Sequence, residues 1–176
     1  MFIKVDNSEG LFLKLTKTLE KSGLEIIDAN IFTSTDDKLA ANTFITKFSH
    51  HDRALNQSEL KELSIRITKN FNNYDPFSDN IKKAKKRIKF QNKLNITNTH
   101  NSNKERNLIT IETSDRPGLL SDIAKVFYDN NLSIFSARIN TLGDKVEDTF
   151  ELENLNKSLI PNKKMKEIIA SLKKVV

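Results

Sequence analysis

Along the chain, the spacing of apolar residues alternates between strand-like and helix-like in the same order twice. This repetition predicts two copies of one structural unit. In the second half, Ile109 and Ile111 alternate with polar neighbours, as in a half-buried strand. A stripe with helical spacing follows, formed by Leu119, Leu120, Ile123, Val126 and Phe127. Alternation at residues 135–139 and 145–152 then predicts a hairpin, and a second helical stripe ends the unit.

The first half has the same order in the same register. Gly10-Leu11 corresponds to Gly118-Leu119, and the halves continue without a gap to Thr33 and Thr141. A register of that length indicates a duplication. The unit is β-α-β-β-α-β, the ferredoxin-like plan of the α+β class. We therefore expect two modules, each with helices covering one face of an antiparallel sheet, packed together through sheet edges or helices.

The module boundaries follow from the repeat. Residues 1–97 are assigned to the first module, 98–106 to a polar linker and 107–176 to the second module. The first module has a candidate fourth strand near residues 88–90 or 94–96, whereas the second ends before an equivalent strand. The chain begins within its first strand, as expected of a fragment of a longer protein.

Polar residues and proline are expected to define the helix ends. Asp115 can cap the first helix of the second module, with Pro117 in the first turn. Asn56 and Glu59 form a capping pair for the second helix of the first module. Gly23 is expected to end the first helix of that module.

Composition excludes several functional classes. The 176 residues are 37% hydrophobic and 30% charged, and they contain no cysteine, which excludes disulfides and thiolate chemistry. No apolar run is long enough for a membrane span, so a cytoplasmic setting is expected. The net charge of +6 arises largely from residues 82–89 and the last fifteen residues. These lysines form either a solvated face or a non-specific phosphate-binding patch.

No catalytic centre is expected in this chain. The three histidines, His50, His51 and His100, lie in or near predicted loops. His50-His51-Asp52 resembles a metal dyad, but adjacent residues converge poorly on one ion and no supporting ligands are visible. No glycine-lysine phosphate loop occurs. Catalytic residues, metal ligands and cofactors are therefore predicted to be absent.

The glycine turn before each first helix is the candidate binding feature. Free backbone N–H groups and the helix dipole favour a carboxylate there, and Gly118 allows close approach. Asp115 would receive an ammonium group and Arg116 would close over the ligand. In the alternative interpretation, Asp115 only caps the helix and Gly118 only relieves crowding. Arg138 and Asn30, at equivalent strand positions, either line the module interface or are solvated.

Residues 114–120, Ser-Asp-Arg-Pro-Gly-Leu-Leu, resemble the signature of ACT domains, which are small regulatory modules that bind amino acids. The resemblance implies an effector site at the interface between the modules, near the turn at residues 115–120. Its candidate residues are Asp115, Arg116, Pro117, Gly118, Leu119 and Leu120, with Gly10 and Leu11 in the first copy. The first copy departs from the signature, because residues 7–10 read Asn-Ser-Glu-Gly and only the glycine is kept.

Residues 132–150 and 28–34 are similar to the tandem C-terminal ACT modules of one enzyme family, the bifunctional uridylyltransferases/uridylyl-removing enzymes that act on the PII nitrogen-signalling protein. That resemblance implies glutamine as effector, with bound glutamine favouring uridylyl removal. It implies PII as the partner of catalytic domains absent from this chain, and Mg²⁺ for those domains alone. Self-association through ACT modules is a further implication. A free-standing ACT regulator of another amino acid is the alternative.

An RNA-binding protein of the same topology is the rival from another functional class. Such proteins stack bases on aromatic residues of their central strands. The corresponding strand here, residues 146–152, is acidic and lacks a matching aromatic and basic pattern. Nucleic-acid binding is therefore not expected.

Overall fold

The computed structural model describes residues 1–48, 53–75, 94–101 and 106–176. Within them the elements follow the predicted order in both copies. They are β1 (Phe2–Asp6), α1 (Leu11–Lys21), β2 (Leu24–Thr33), β3 (Leu39–Phe48), α2 (Gln57–Asn72), β4 (Asn95–Asn101), β5 (Arg106–Ser114), α3 (Leu119–Asp129), β6 (Leu132–Leu142), β7 (Lys145–Asn154) and α4 (Asn162–Val175).

The two modules share one antiparallel sheet. Its seven described strands lie in the order β1-β3-β2-β6-β7-β5-β4. The joint is the antiparallel pair of β2 and β6, in which Ala29 lies opposite Ile139 and Ile31 opposite Ala137. Because main-chain hydrogen bonds cross this joint, the expected pair of sheets is a single continuous one. The two second strands thus meet edge to edge and protect each other from outside pairing.

The strand β4 completes the second module and not the first. It pairs antiparallel with β5, from Asn95 opposite Glu112 to Asn101 opposite Arg106. This edge, beside the first strand of the unit, is where a fourth strand belongs in the ferredoxin-like plan. The predicted division at residues 97–98, with a linker at 98–106, therefore differs from the structure. Only residues 102–105 separate β4 from β5, and so short a connection favours a local hairpin.

The helices form one layer, in which α2, α1, α3 and α4 lie side by side. Between this layer and the sheet is one hydrophobic core that includes residues of both modules. Phe150 lies at its centre, with its ring centroid 6.2 Å from that of Phe12 and 5.0 Å from that of Phe127. Both contacts are edge-to-face, the geometry that aromatic quadrupoles favour. Since Phe12 belongs to the first module, the modules are packed as one body.

The helix ends confirm some expectations and correct others. Asn56 and Glu59 form the predicted capping box at the start of α2. Asp115 does not cap α3, because Gly118 is the N-cap residue and no side chain caps it. Asp115 lies three residues earlier, where its backbone N–H donates to the carbonyl of Asp144. Pro117 consequently precedes the N-cap and does not lie in the first turn.

The second helix of the first module is less buried than its apolar stripe suggested. Leu63, Ile67 and Phe71 pack against the core, but Leu60 is largely exposed and no residue of α2 is fully buried. In the second module, α4 buries Met165, Ile168 and Leu172.

Candidate functional site

Each glycine turn faces the other module. Gly10 and Gly118 both have positive φ, 71° and 78°, a conformation that glycine adopts without steric cost. A Cβ atom on Gly10 would lie 2.9 Å from Cε2 of Tyr128, and one on Gly118 would lie 3.0 Å from Oε1 of Glu20. Tyr128 and Glu20 are equivalent in the repeat register. The joint between β2 and β6 therefore creates two related cavities across a pseudo-two-fold axis.

The first cavity has a volume of about 260 Å³. It lies between residues 7–13 and β3 of the first module, and Tyr128, Ser133 and Ile134 of the second. This volume approaches the lower end, near 300 Å³, of typical small-molecule pockets. The cavity exists only while the modules are joined, because each module supplies one wall.

Backbone donors are open at the start of α1. The N–H of Leu11 donates to the carbonyl of Ser8 at 3.1 Å, and Lys14 begins the regular helical pattern by donating to Gly10. The N–H groups of Phe12 and Leu13 have no hydrogen-bond partner in the described part of the chain. Both residues line the first cavity. Together with the helix dipole, such donors favour an anion.

A buried amide lies in the wall of the same cavity. Asn42, on the helix-facing side of β3, is only 1% exposed. Its Nδ2 donates to the carbonyl of Ile3 at 3.5 Å, whereas its Oδ1 has no partner within the described residues. Buried polar atoms are nearly always hydrogen-bonded, so an acceptor without a donor requires an explanation.

The charged groups around the first cavity are mostly paired. Lys157 contacts Asp37 at 2.5 Å, and Arg106 contacts Glu153 at 2.7 Å. The hydrogen bond with Asp37 raises the pKa of Lys157, which therefore stays charged. Glu9 is exposed at the mouth. The lining of the cavity thus includes both hydrogen-bond donors and acceptors, as a zwitterion requires.

The second cavity is smaller, with a volume of about 110 Å³. The side chain of Glu20 lies against the glycine turn in its wall. The carboxylate of Glu20 accepts a hydrogen bond from Ser121 Oγ at 2.7 Å and lies 3.2 Å from Lys17 Nζ. It therefore supplies negative charge at the start of α3, where the helix dipole favours it. Where the first cavity has a tyrosine ring, the second has a carboxylate.

The predicted site residues divide between the two cavities. Residues 115–120 line the second cavity, and Gly10 and Leu11 line the first. The guanidinium of Arg116 bonds to Asp122 at 2.5 Å and to the carbonyls of Pro117 and Val175. It is therefore held by its own module and does not close over the turn. Desolvation, the largest cause, raises the pKa of Asp115, and this weakens it as an ammonium acceptor.

Sequence reasoning overlooked Asn42, Glu20 and Tyr128. A signal for Asn42 existed, since it interrupts the apolar alternation of Ala40 and Phe44 on the core-facing side of β3. Glu20 and Tyr128 gave no such signal, because their role depends on the partner module.

Asp148 is a buried acid on the same side of the sheet. It is equivalent to Asn42 in the repeat, and it is 1% exposed. Burial raises its pKa to about 7, a hydrogen bond from the backbone N–H of Asn140 opposes this, and the charge of Asp115 adds to it. A carboxyl with this pKa is largely protonated below neutral pH.

The remaining candidates lie away from the cavities. Asn30 and Arg138 lie opposite each other across the joint of β2 and β6, and both are exposed. They therefore lie at the module interface and are also solvated. His100 lies on β4, whereas His50, His51, Asp52 and the lysines at 82–89 lie outside the described residues. Among the described residues, no group of three acidic or histidine side chains could hold a metal ion. Likewise, none of the described helices has the length and apolarity to cross a membrane.

Comparison with known proteins shows what the chain is similar to. Residues 107–159 match the family model of the ACT domain. The bifunctional uridylyltransferase/uridylyl-removing enzyme of Psychrobacter sp. (strain PRwf-1) is 26% identical over 98% of this chain, which spans 19% of that enzyme. The enzyme of the same name from Burkholderia mallei (strain SAVP1) is 24% identical over 87% of the chain and 18% of its own length. The chain thus spans about a fifth of the length of these relatives.

A solved structure supports the fold alone. The crystal structure of aspartate kinase from Synechocystis matches with a TM-score of 0.51 and 14% identity, covering 98% of this chain and 26% of that one. The predicted ferredoxin-like α+β fold is confirmed. Residues 107–159 match the ACT domain family, and most of the chain is similar to about a fifth of bifunctional uridylyltransferase/uridylyl-removing enzymes.

Proposed function

We propose that this chain is a regulatory pair of ACT modules that senses glutamine. The observation that carries the proposal is the joint of β2 and β6, which places each glycine turn against the other module. A ligand in either cavity contacts both modules at once. It therefore binds the joined arrangement more tightly than any arrangement in which the joint is altered, and that difference is what a regulatory ligand needs.

The downstream process is proposed from the named relatives. In a longer protein of that kind, glutamine occupancy of this region favours uridylyl removal from PII over uridylyl transfer. Mg²⁺ would belong to the catalytic domains and not to this chain. We place the chain in the cytoplasm, the compartment of nitrogen signalling through PII. We also propose that the chain can self-associate through β1, an edge strand of the described sheet.

The first prediction concerns ligand binding. Glutamine titrated into the chain should release or absorb heat in calorimetry, and other amino acids should bind more weakly. At a free concentration of 100 times the dissociation constant, glutamine should raise the free energy of unfolding by about 2.7 kcal/mol. Urea denaturation with and without glutamine measures this change. If another amino acid gives the larger stabilisation, the effector assignment is replaced while the sensing function stands.

The same preparation tests the rival function. Single-stranded RNA should bind weakly, because β7 exposes the carboxylate of Glu147. An RNA affinity that falls steeply with salt, combined with no stabilisation by any amino acid, would contradict amino-acid sensing and favour phosphate contacts.

A further inference from the structure

We infer that the two related cavities are not equivalent and that one amino acid binds per chain, in the first cavity, between the start of α1 and Asn42. This deepens the proposed function and rests on it. It also reverses the expectation from the sequence, which favoured residues 115–120 because they carry the ACT signature.

The carboxylate of the ligand is held at the start of α1. Phe12 and Leu13 line the first cavity and present N–H groups without a partner in the described chain. Gly10, with no Cβ, keeps the approach to these donors open, although the ring of Tyr128 lies beside it. The site requires no arginine, because charge-assisted hydrogen bonds from backbone N–H groups and the helix dipole suffice for a carboxylate.

The α-ammonium group of the ligand is held by Asn42. Its Oδ1 is buried, without a partner in the described residues, and in the wall of the same cavity as the open N–H groups. An ammonium group supplies the missing donor and relieves the unfavourable burial of that oxygen. An amino acid is the small-molecule class that carries both the anion and the cation that this pair of features requires.

The second cavity differs from the first in both features, although the N–H groups of Leu120 and Ser121 likewise have no partner among the described residues. Glu20 places its carboxylate on Ser121 and beside Gly118, so the anion position at the start of α3 is taken by the chain itself. At the position of Asn42 the second module has Asp148, whose pKa of about 7 leaves it partly protonated and already bonded to Asn140 N–H. The volume of about 110 Å³ is also less than half that of the first cavity.

The experiment combines calorimetry with amide NMR on the full chain, using glutamine as the probe. The unmodified chain should bind one equivalent. The Asn42→Ala variant should bind at least tenfold more weakly, because a charge-assisted hydrogen bond is lost. Glu20→Gln, the matched change in the second cavity, should leave the affinity within about twofold. In the NMR spectrum the amides of Phe12 and Leu13 should shift, while those of Leu120 and Ser121 should not.

The outcomes separate the site from the function. Two equivalents per chain, or affinity lost in Glu20→Gln and kept in Asn42→Ala, would overturn the assignment and leave amino-acid sensing intact. The absence of binding by any amino acid to the unmodified chain would overturn both. If Asn42→Ala does not fold, the amide shifts of the unmodified chain decide, since shifts at Leu120 and Ser121 alone would place the ligand in the second cavity.

Discussion

Asp148→Asn should stabilise the protein by about 4 kcal/mol at pH 8 and by little at about pH 3. The pKa of Asp148 is about 7 in the folded chain, against 3.8 for the group in water. Each pKa unit corresponds to about 1.4 kcal/mol, so ionisation of this buried acid costs about 4 kcal/mol of folding free energy. The first module supplies the precedent, since Asn42 is the equivalent residue and is accommodated at the same depth.

The sign follows from proton binding. Between pH 4 and pH 7 the folded state holds a proton that the unfolded state has released, so the stability of the unmodified chain falls as pH rises through this window. Below pH 4 both states are protonated and the full stability is present. An asparagine has no proton to lose, and its Oδ1 can still accept from Asn140 N–H. The variant should therefore lack this part of the pH dependence.

Urea denaturation at several pH values measures the effect as the difference between variant and unmodified chain. Asp144→Asn, an identical exchange at an exposed position of the β6–β7 turn, is the control and should change stability by about 0.5 kcal/mol or less. Parallel stability curves for Asp148→Asn and the unmodified chain between pH 4 and pH 8 would show that burial does not disfavour the charged carboxyl.

Phe150→Ala should destabilise the chain by about 3–5 kcal/mol and should do so in both modules together. Phe150 is fully buried, and removal of its ring leaves a cavity at the centre of the shared core. The lost edge-to-face contacts include one with Phe12, which belongs to the first module. Because the sheet and the core are continuous across the joint, the first module should lose stability although the substitution lies in the second.

Hydrogen exchange of amides in β2 and β7 can follow each module during denaturation. Both should show the same reduced free energy of opening in the variant. Phe2→Ala is the matched control, because Phe2 is 64% exposed on β1 and its loss should cost about 0.5 kcal/mol or less. If β2 kept the exchange protection of the unmodified chain while β7 lost it, the modules would be independent folding units.

Local patterns were sufficient for the elements of both copies. One strand is predicted by the alternation at Ile109 and Ile111, and one helix by the stripe from Leu119 to Phe127. Each pattern arises because one face of a single element must be buried, which depends only on residues close in sequence. The capping box at Asn56 was likewise readable, because its partner is three residues away. Helix starts at the glycine turns were harder, since a left-handed N-cap resembles a loop and Asp115 was a plausible cap.

Local sequence patterns could not predict which strands pair at the edges of the sheet. The residues of β4 alternate weakly, and the choice between completing the first or the second module depends on which sheet edge is near. The short connection at residues 102–105 favours β5, but the repeat assigned the segment to the first copy. The open position of Asn42 Oδ1 was hidden for a similar reason, because a hydrogen-bond partner can be excluded only when the neighbours of the atom are known.

The order of periods along the chain was enough to specify a duplicated α+β unit with a glycine turn before each first helix, since such features depend on residues close in sequence. The contact between the two modules could not be predicted from these local features. Glu20 and Tyr128 occupy equivalent helical positions and look equally ordinary in the chain, yet one places a carboxylate on the opposing turn and the other a ring. That difference, and with it the asymmetry of the two cavities, arises only when β2 and β6 bring the two copies face to face.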